Sequence, residues 1–171
     1  MWINHQNKYW HAVYTKSRAE KKVKVEFDFQ GIESYLPLQR KLRQWSDRKK
    51  WVEVPLISGY VFVKVNRFEY EKVLQTAGVV SYVRFEGTAA IIPDQQIESI
   101  KLLLRDSNIE VSVSHKNIHK GDKIEVIGGP LMGLNGTLIT IKGKKRVAVL
   151  LDQLNISLTF ELPINEVRKL D

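Results

Sequence analysis

Cysteine is absent from this 171-residue chain, which removes disulfides, thiolate metal sites and cysteine nucleophiles in one step. No apolar run approaches the ~18 residues that a membrane span needs. The opening segment, Met1-Trp2-Ile3-Asn4-His5-Gln6-Asn7-Lys8, has no apolar h-region, so no signal peptide is expected and the natural setting is cytoplasmic. Catalytic signatures are missing as well. No Gly-x-x-x-x-Gly-Lys-Ser/Thr occurs, Gly133-Leu134-Asn135-Gly136 lacks the lysine of a phosphate loop, and there is no Gly-x-Ser-x-Gly elbow. His115 and His119 have the i, i+4 spacing of a helical metal pair, but Lys116 holds the position of the required Glu and no third ligand is evident. The expectation is a protein that is not an enzyme and uses no cofactor, no metal and no membrane.

What is present is an ordinary apolar fraction, 43%, which argues for a folded chain. The length allows one medium domain or two small ones. Lys and Arg total 27 against 19 Asp and Glu, a net charge of +8. That balance favours polyanionic partners, although many basic proteins gain only solubility from it. The excess is uneven: residues 1–104 carry 17 basic and 11 acidic side chains, residues 105–171 carry 10 and 8. A charge-driven contact therefore belongs to the N-terminal part.

Tyr9 to Tyr14 is aromatic and β-branched and predicts a strand. Ser17-Arg18-Ala19-Glu20 reads as a capping box and Gly31 as the stop of a first helix, with Ala19, Val23, Phe27 and Gln30 on one stripe and Val25 and Phe29 flanking it. Extended structure resumes at Ser34–Leu38, a basic excursion runs from Gln39 to Lys50, and Trp51–Val54 returns to a strand. Leu56–Val65 is nearly continuously apolar and predicts a central strand. Asn66 with Glu69 caps a second helix, ended by Gly78; Val79–Phe85 is another strand; Asp94 caps a third helix carrying Ile97, Ile100, Leu103 and Leu104. The order is that of a split βαβ layer with helices on an antiparallel sheet. Arg105–Asn117 shows no sustained pattern and reads as a linker, in part strand-like. Lys120–Ile127, Gly136–Ile141, Arg146–Leu151, Ser157–Phe160 and Val167–Leu170 then give about five short strands, with Lys142-Gly143-Lys144-Lys145 as a hairpin tip, which fits a small barrel. The fold class is α+β, in two parts: 1–104, a linker over 105–117, and 118–171.

The stretch from Lys120 to Leu138, with Gly128-Gly129-Pro130 between two strands, resembles the KOW motif, a small β-barrel module of transcription elongation factors and some ribosomal proteins. In the first part, Trp10-His11-Ala12-Val13-Tyr14 followed by Glu20-Lys21-Lys22, Pro55-Leu56-Ile57-Ser58-Gly59-Tyr60-Val61-Phe62-Val63, and Gly78-Val79-Val80-Ser81-Tyr82-Val83-Arg84-Phe85 are similar to the N-terminal domain of the NusG/RfaH family of transcription elongation and antitermination factors. The resemblance covers nearly the whole chain. Ser58 stands where housekeeping members have proline. Arg84-Phe85 and Glu166-Val167-Arg168-Lys169-Leu170 look more like specialised paralogs, the nearest being UpxY-like antiterminators of polysaccharide operons.

The resemblance implies a monomer whose first domain sits on the clamp coiled coil of the RNA polymerase largest subunit, suppresses pausing or termination, and in specialised members also reads non-template DNA. Its KOW domain would recruit a ribosomal protein or a termination factor. Carried over by position, an apolar depression for polymerase is lined by Tyr14, Ile57, Tyr60, Phe85, Ile97 and Ile100. These positions also read as core, above all the two on the third helix; Ile57, just before the Ser58-Gly59 kink, is the one expected to be exposed. Glu69-Tyr70-Glu71 replaces a polar His-Thr-Thr patch that specialised members carry toward the other polymerase jaw.

Arg40, Lys41, Arg43, Arg48, Lys49 and Lys50, interleaved with Trp45 and Trp51, form a basic hairpin suited to phosphate and to stacking of an unpaired base. Its bland reading is a solvated hairpin. Lys16, Lys72, Gln75 and Thr76, at polar helix ends, are weaker nucleic-acid candidates. Lys142, Lys144, Lys145 and Arg146 form a second cluster, of the kind that also keeps a hairpin edge soluble. The rival reading is a ribosome-associated, RNA-binding KOW protein acting in translation, and a third is a protein adaptor with incidental charge.

Overall fold

The computed structural model describes residues 5–116, 118 and 120–171. The chain divides into two compact units between Asp94 and Gln95.

In the first unit, β1 (Tyr9–Thr15) leads into α1 (Glu20–Phe29). The capping box expected at Ser17 does not form: Ala19 holds the cap position and makes no side-chain cap bond. Glu20 is instead buried, and its Oε1 accepts a hydrogen bond from the Gly59 N–H at 2.7 Å. Its carboxylate is committed to a tertiary contact and is not free to reach back along the chain. Val23 and Phe27 are fully buried, while Val25 and Phe29 face solvent. Gly31, at φ 70°, ends the helical turn, a conformation most side chains resist. Then come β2 (Glu33–Tyr35), β3 (Leu38–Gln44), β4 (Lys49–Pro55) and β5 (Tyr60–Val65). Leu56 to Gly59 is apolar but not strand: Leu56 N–H donates to the Pro37 carbonyl, Gly59 turns at φ 81°, and pairing starts only at Tyr60.

The box expected at α2 (Tyr70–Gln75) is present. Asn66 Oδ1 accepts from the Phe68 and Glu69 amides, and Glu69 Oε2 accepts from the Asn66 amide. β6 (Val79–Tyr82) is shorter than predicted. A separate hairpin, β7 (Arg84–Phe85) with β8 (Thr88–Ala89), turns on Glu86 and Gly87, both at positive φ. The main sheet has the order β2-β5-β1-β6, and β3 with β4 forms a ladder of its own. β1 and β5 are antiparallel from Tyr9↔Val65 to Tyr14↔Tyr60. Val13, Val61, Val63 and Val65 pack with Val23 and Phe27 of α1 and Val73 of α2. Alternation therefore puts Tyr14 and Tyr60 on the opposite face of the sheet from the helices.

α3 (Asp94–Leu103) begins at the division and buries Ile97, Ile100 and Leu103. The second unit is barrel-like, six antiparallel strands in the order β14-β10-β11-β12-β13-β9. They are β9 (Ser112–Ser114), β10 (Asp122–Val126), β11 (Asn135–Ile141), β12 (Lys144–Leu151), β13 (Ile156–Phe160) and β14 (Val167–Lys169). Five of them match the expected strands; β9 lies inside the stretch read as linker and pairs with β13. At Gly136 a Cβ would come within 2.6 Å of Val147 and 2.9 Å of the Ala148 carbonyl, so β11 lies against β12 only because no side chain intervenes. Lys142-Gly143, both left-handed, make the two-residue turn from β11 to β12.

Candidate functional site

Tyr14 and Tyr60 are brought together by the strand register, with ring centroids 5.0 Å apart. Tyr14 remains 39% exposed. Burial, then a hydrogen bond with Tyr14, push the Tyr60 hydroxyl well above the usual phenol range, so the Tyr60 ring stays neutral. The pair offers a flat, amphipathic contact surface. Phe85 is 46% exposed but belongs to the β7–β8 hairpin, and β6 runs antiparallel to β1 so that the hairpin lies beyond Tyr82 and Val83, away from the Tyr14 end.

Ile57, Ile97 and Ile100 present no surface. Ile57, expected to be exposed, is 1% exposed. The segment around it is held on two sides: Leu56 N–H bonds Pro37, and Gly59 bonds both Thr15 and Glu20. The kink that was to expose Ile57 folds it inward. Ile97 and Ile100 are fully buried, as their core reading had it.

The basic excursion is an exposed antiparallel hairpin with a ladder from Leu38↔Pro55 to Gln44↔Lys49. Lys41, Arg43 and Lys50 share one face; Arg40, Lys49 and Trp51 share the other; Arg48 sits in the turn, closed by the Trp45 amide donating to the Arg48 carbonyl at 2.8 Å. Trp45 and Trp51 are each more than half exposed. The Arg40 guanidinium lies 5.5 Å from the Trp51 ring centroid. Arg43 stands directly opposite Lys50, a like-charge pair that weakens a ladder. Among the described residues no hairpin cation makes an ion pair.

Lys16, Lys72 and Gln75 are exposed. Thr76 is buried; its Oγ1 donates to the Lys72 carbonyl and accepts from Gln30 Nε2 at 3.0 Å. That closes it to an external base or phosphate, and corrects its reading as a contact residue. At the start of α2, Glu69 is engaged by Lys8 at 2.7 Å, and Tyr70 stacks on Tyr82 with centroids 4.0 Å apart. The sequence reading missed a cavity of about 390 Å³ beside Tyr70, lined also by His11, Arg67 and Arg84. Its parts come from three separated segments, and no linear spacing announces them. His115 has no described partner for the i, i+4 spacing, since His119 lies outside the described residues; among the described residues no three His, Cys, Asp or Glu gather for a metal. No described helix is long and apolar enough to cross a membrane.

The described chain is thus a split βαβ unit followed by a barrel-like unit of six antiparallel strands. A family model described as transcription termination factor NusG matches residues 8–101, and one for the second KOW domain of transcription elongation factor SPT5 matches residues 120–170. The first covers more than half of the chain, which belongs to the NusG family. The transcription termination/antitermination proteins NusG of Streptococcus pyogenes serotypes M3 and M1 are each 24% identical over 176 aligned positions, covering 96% of this chain and 97% of theirs. A solved structure on domain interaction in Thermotoga maritima NusG has the same fold, with a TM-score of 0.53, 23% identity, and coverage of 96% of this chain and 98% of that one.

Proposed function

We propose that this NusG-family protein binds RNA polymerase through its first domain, residues 1–104, and suppresses pausing or termination. The observation that carries this reading is the family match along nearly the whole chain. The contact is made on the clamp coiled coil of the largest subunit by the Tyr14–Tyr60 face, an aromatic pair in which Tyr14 is exposed and Tyr60 half-buried. The cationic hairpin follows the nucleic acid beside it, including non-template DNA, because its like-charge Arg43–Lys50 pairing is relieved by phosphate. After a linker over 105–117, the domain 118–171 recruits a ribosomal protein or a termination factor through exposed Ile127, Met132 and Ile164. Ser58 and Arg84-Phe85 support the reading of an operon-restricted, UpxY-like member, acting in the cytoplasm as a non-enzymatic monomer on loci such as polysaccharide operons.

Co-purification with core polymerase tests the reading. The wild-type chain is expected to retain polymerase, and the double variant Tyr14→Ala, Tyr60→Ala to lose affinity by about tenfold or more, as for an aromatic interface anchor. Retention of ribosomal subunits in place of polymerase would favour the rival role in translation.

A further inference from the structure

The face of the first sheet that carries the helices also bears a cavity of about 390 Å³, unused by the polymerase and hairpin surfaces. Register places His11 on the same face as Val13, opposite to that of Tyr14 and Tyr60. Arg67 and Tyr70 from the entry to α2, and Arg84, Thr88 and Ile91 from around the β7–β8 hairpin, line the rest. Tyr70 is held rigidly: its ring lies parallel to Tyr82 at 4.0 Å, and the Tyr82 hydroxyl donates to the Tyr70 carbonyl at 3.1 Å. His11 Nδ1–H donates to the Ala90 carbonyl at 2.9 Å, and burial holds its pKa below the ordinary 6.5, so it adds no charge. The Arg67 guanidinium sits 5.9 Å from the Tyr70 ring centroid. Neither Arg67 nor Arg84 makes an ion pair among the described residues, and Glu71 is the one acid on the lining. The result is a net positive recess with an aromatic and aliphatic side.

We propose that this cavity binds one nucleoside phosphate, the phosphate between Arg67 and Arg84 and the base against the Tyr70, Ala89 and Ile91 side. Guanidinium donors match phosphate oxygens in pairs. The volume lies at the small end of the ~300–1,000 Å³ usual for ligand sites, which suits a single nucleotide. The ligand is either a free nucleotide or one unpaired nucleotide of a strand, and both present the same chemistry. The site goes beyond the polymerase role, and it uses neither Tyr14, Tyr60 nor the β3–β4 hairpin.

The test is titration of the full chain by NMR and calorimetry with thymidine and adenosine 5′-monophosphates, inorganic phosphate, and a short oligothymidylate. Mononucleotides are expected to shift His11 and Thr88 and to bind at least about tenfold more tightly than inorganic phosphate. Arg67→Gln and Arg84→Gln, both at exposed positions, should each weaken that binding by about tenfold with unchanged melting. Oligothymidylate that displaces the mononucleotide and is itself weakened by the two variants identifies a strand as the source; an oligomer that does not compete identifies a free nucleotide. Absence of mononucleotide binding at millimolar concentration overturns the proposal. So does binding no tighter than that of phosphate, indifference to both variants, or stronger displacement by a glutamate-rich peptide than by nucleotide. Polymerase retention by the two variants is unaffected in either event, so failure here is distinct from failure of the polymerase reading.

Discussion

Ile57 shows how one residue's position follows from the hydrogen bonds on either side of it. With the Gly59 amide held by Glu20 and the Leu56 amide by Pro37, its side chain is fixed in the interior. A carboxylate there would lose hydration without a partner, at a cost of several kcal/mol. Ile57→Asp is therefore expected to lower the melting temperature by ~10 °C or more, while Ile57→Val costs only ~0.5–1.5 kcal/mol. Thermal denaturation followed by circular dichroism decides; a wild-type melt for the aspartate variant would return Ile57 to the surface. Its burial was hard to read from sequence because an apolar residue before a Ser-Gly kink suits both locations. Glu20 and Thr76 were misjudged for a related reason. Their partners, Gly59 and Gln30, lie 39 and 46 residues away, beyond any local pattern.

At the scale of elements, periodicity served best where burial is one-sided. α1, with Val23 and Phe27 inward, and the alternating β10 and β11 were legible for that reason. Leu56–Gly59 was not, because a continuous apolar run carries no period and only long-range hydrogen bonds make it a turn. The β7–β8 hairpin was hidden by Glu86, a left-handed residue without the usual Gly or Asn signal in its place. The β3–β4 hairpin was visible from its charge, and its function is open to direct measurement. Converting Arg48, Lys49 and Lys50 to Ala should weaken binding to an elongation complex and lower the log–log salt slope by roughly one unit for each phosphate no longer neutralised. Trp45→Ala should cost about 1–3 kcal/mol, through weaker base stacking, with little change of slope. Binding measured across a salt series separates these outcomes; an unchanged slope in the triple variant would leave the hairpin as a solvated face.

For the whole molecule, the two-part organisation and the family were legible because the motifs span both parts, and so was the partly strand-like character of residues 105–117; what that strand pairs with was not. Ser112–Ser114 is too short to name its own neighbour, and it supplies the pairing partner of β13. A fragment of residues 105–171 should accordingly melt higher than one of residues 118–171, which leaves the β13 backbone open. Comparison of the two by thermal denaturation tests this, and equal melting would mean that β9 adds no stability.

The same short strand bears on how the protein behaves at high concentration. The six-stranded sheet ends in β9 and β14, each three residues long, and β14 carries Arg168 and Lys169, paired with Glu125 and Asp122. Edges so brief, one of them charged, give an incoming chain almost no ladder to extend. A strand-rich domain is thereby kept from templating fibres of its own kind.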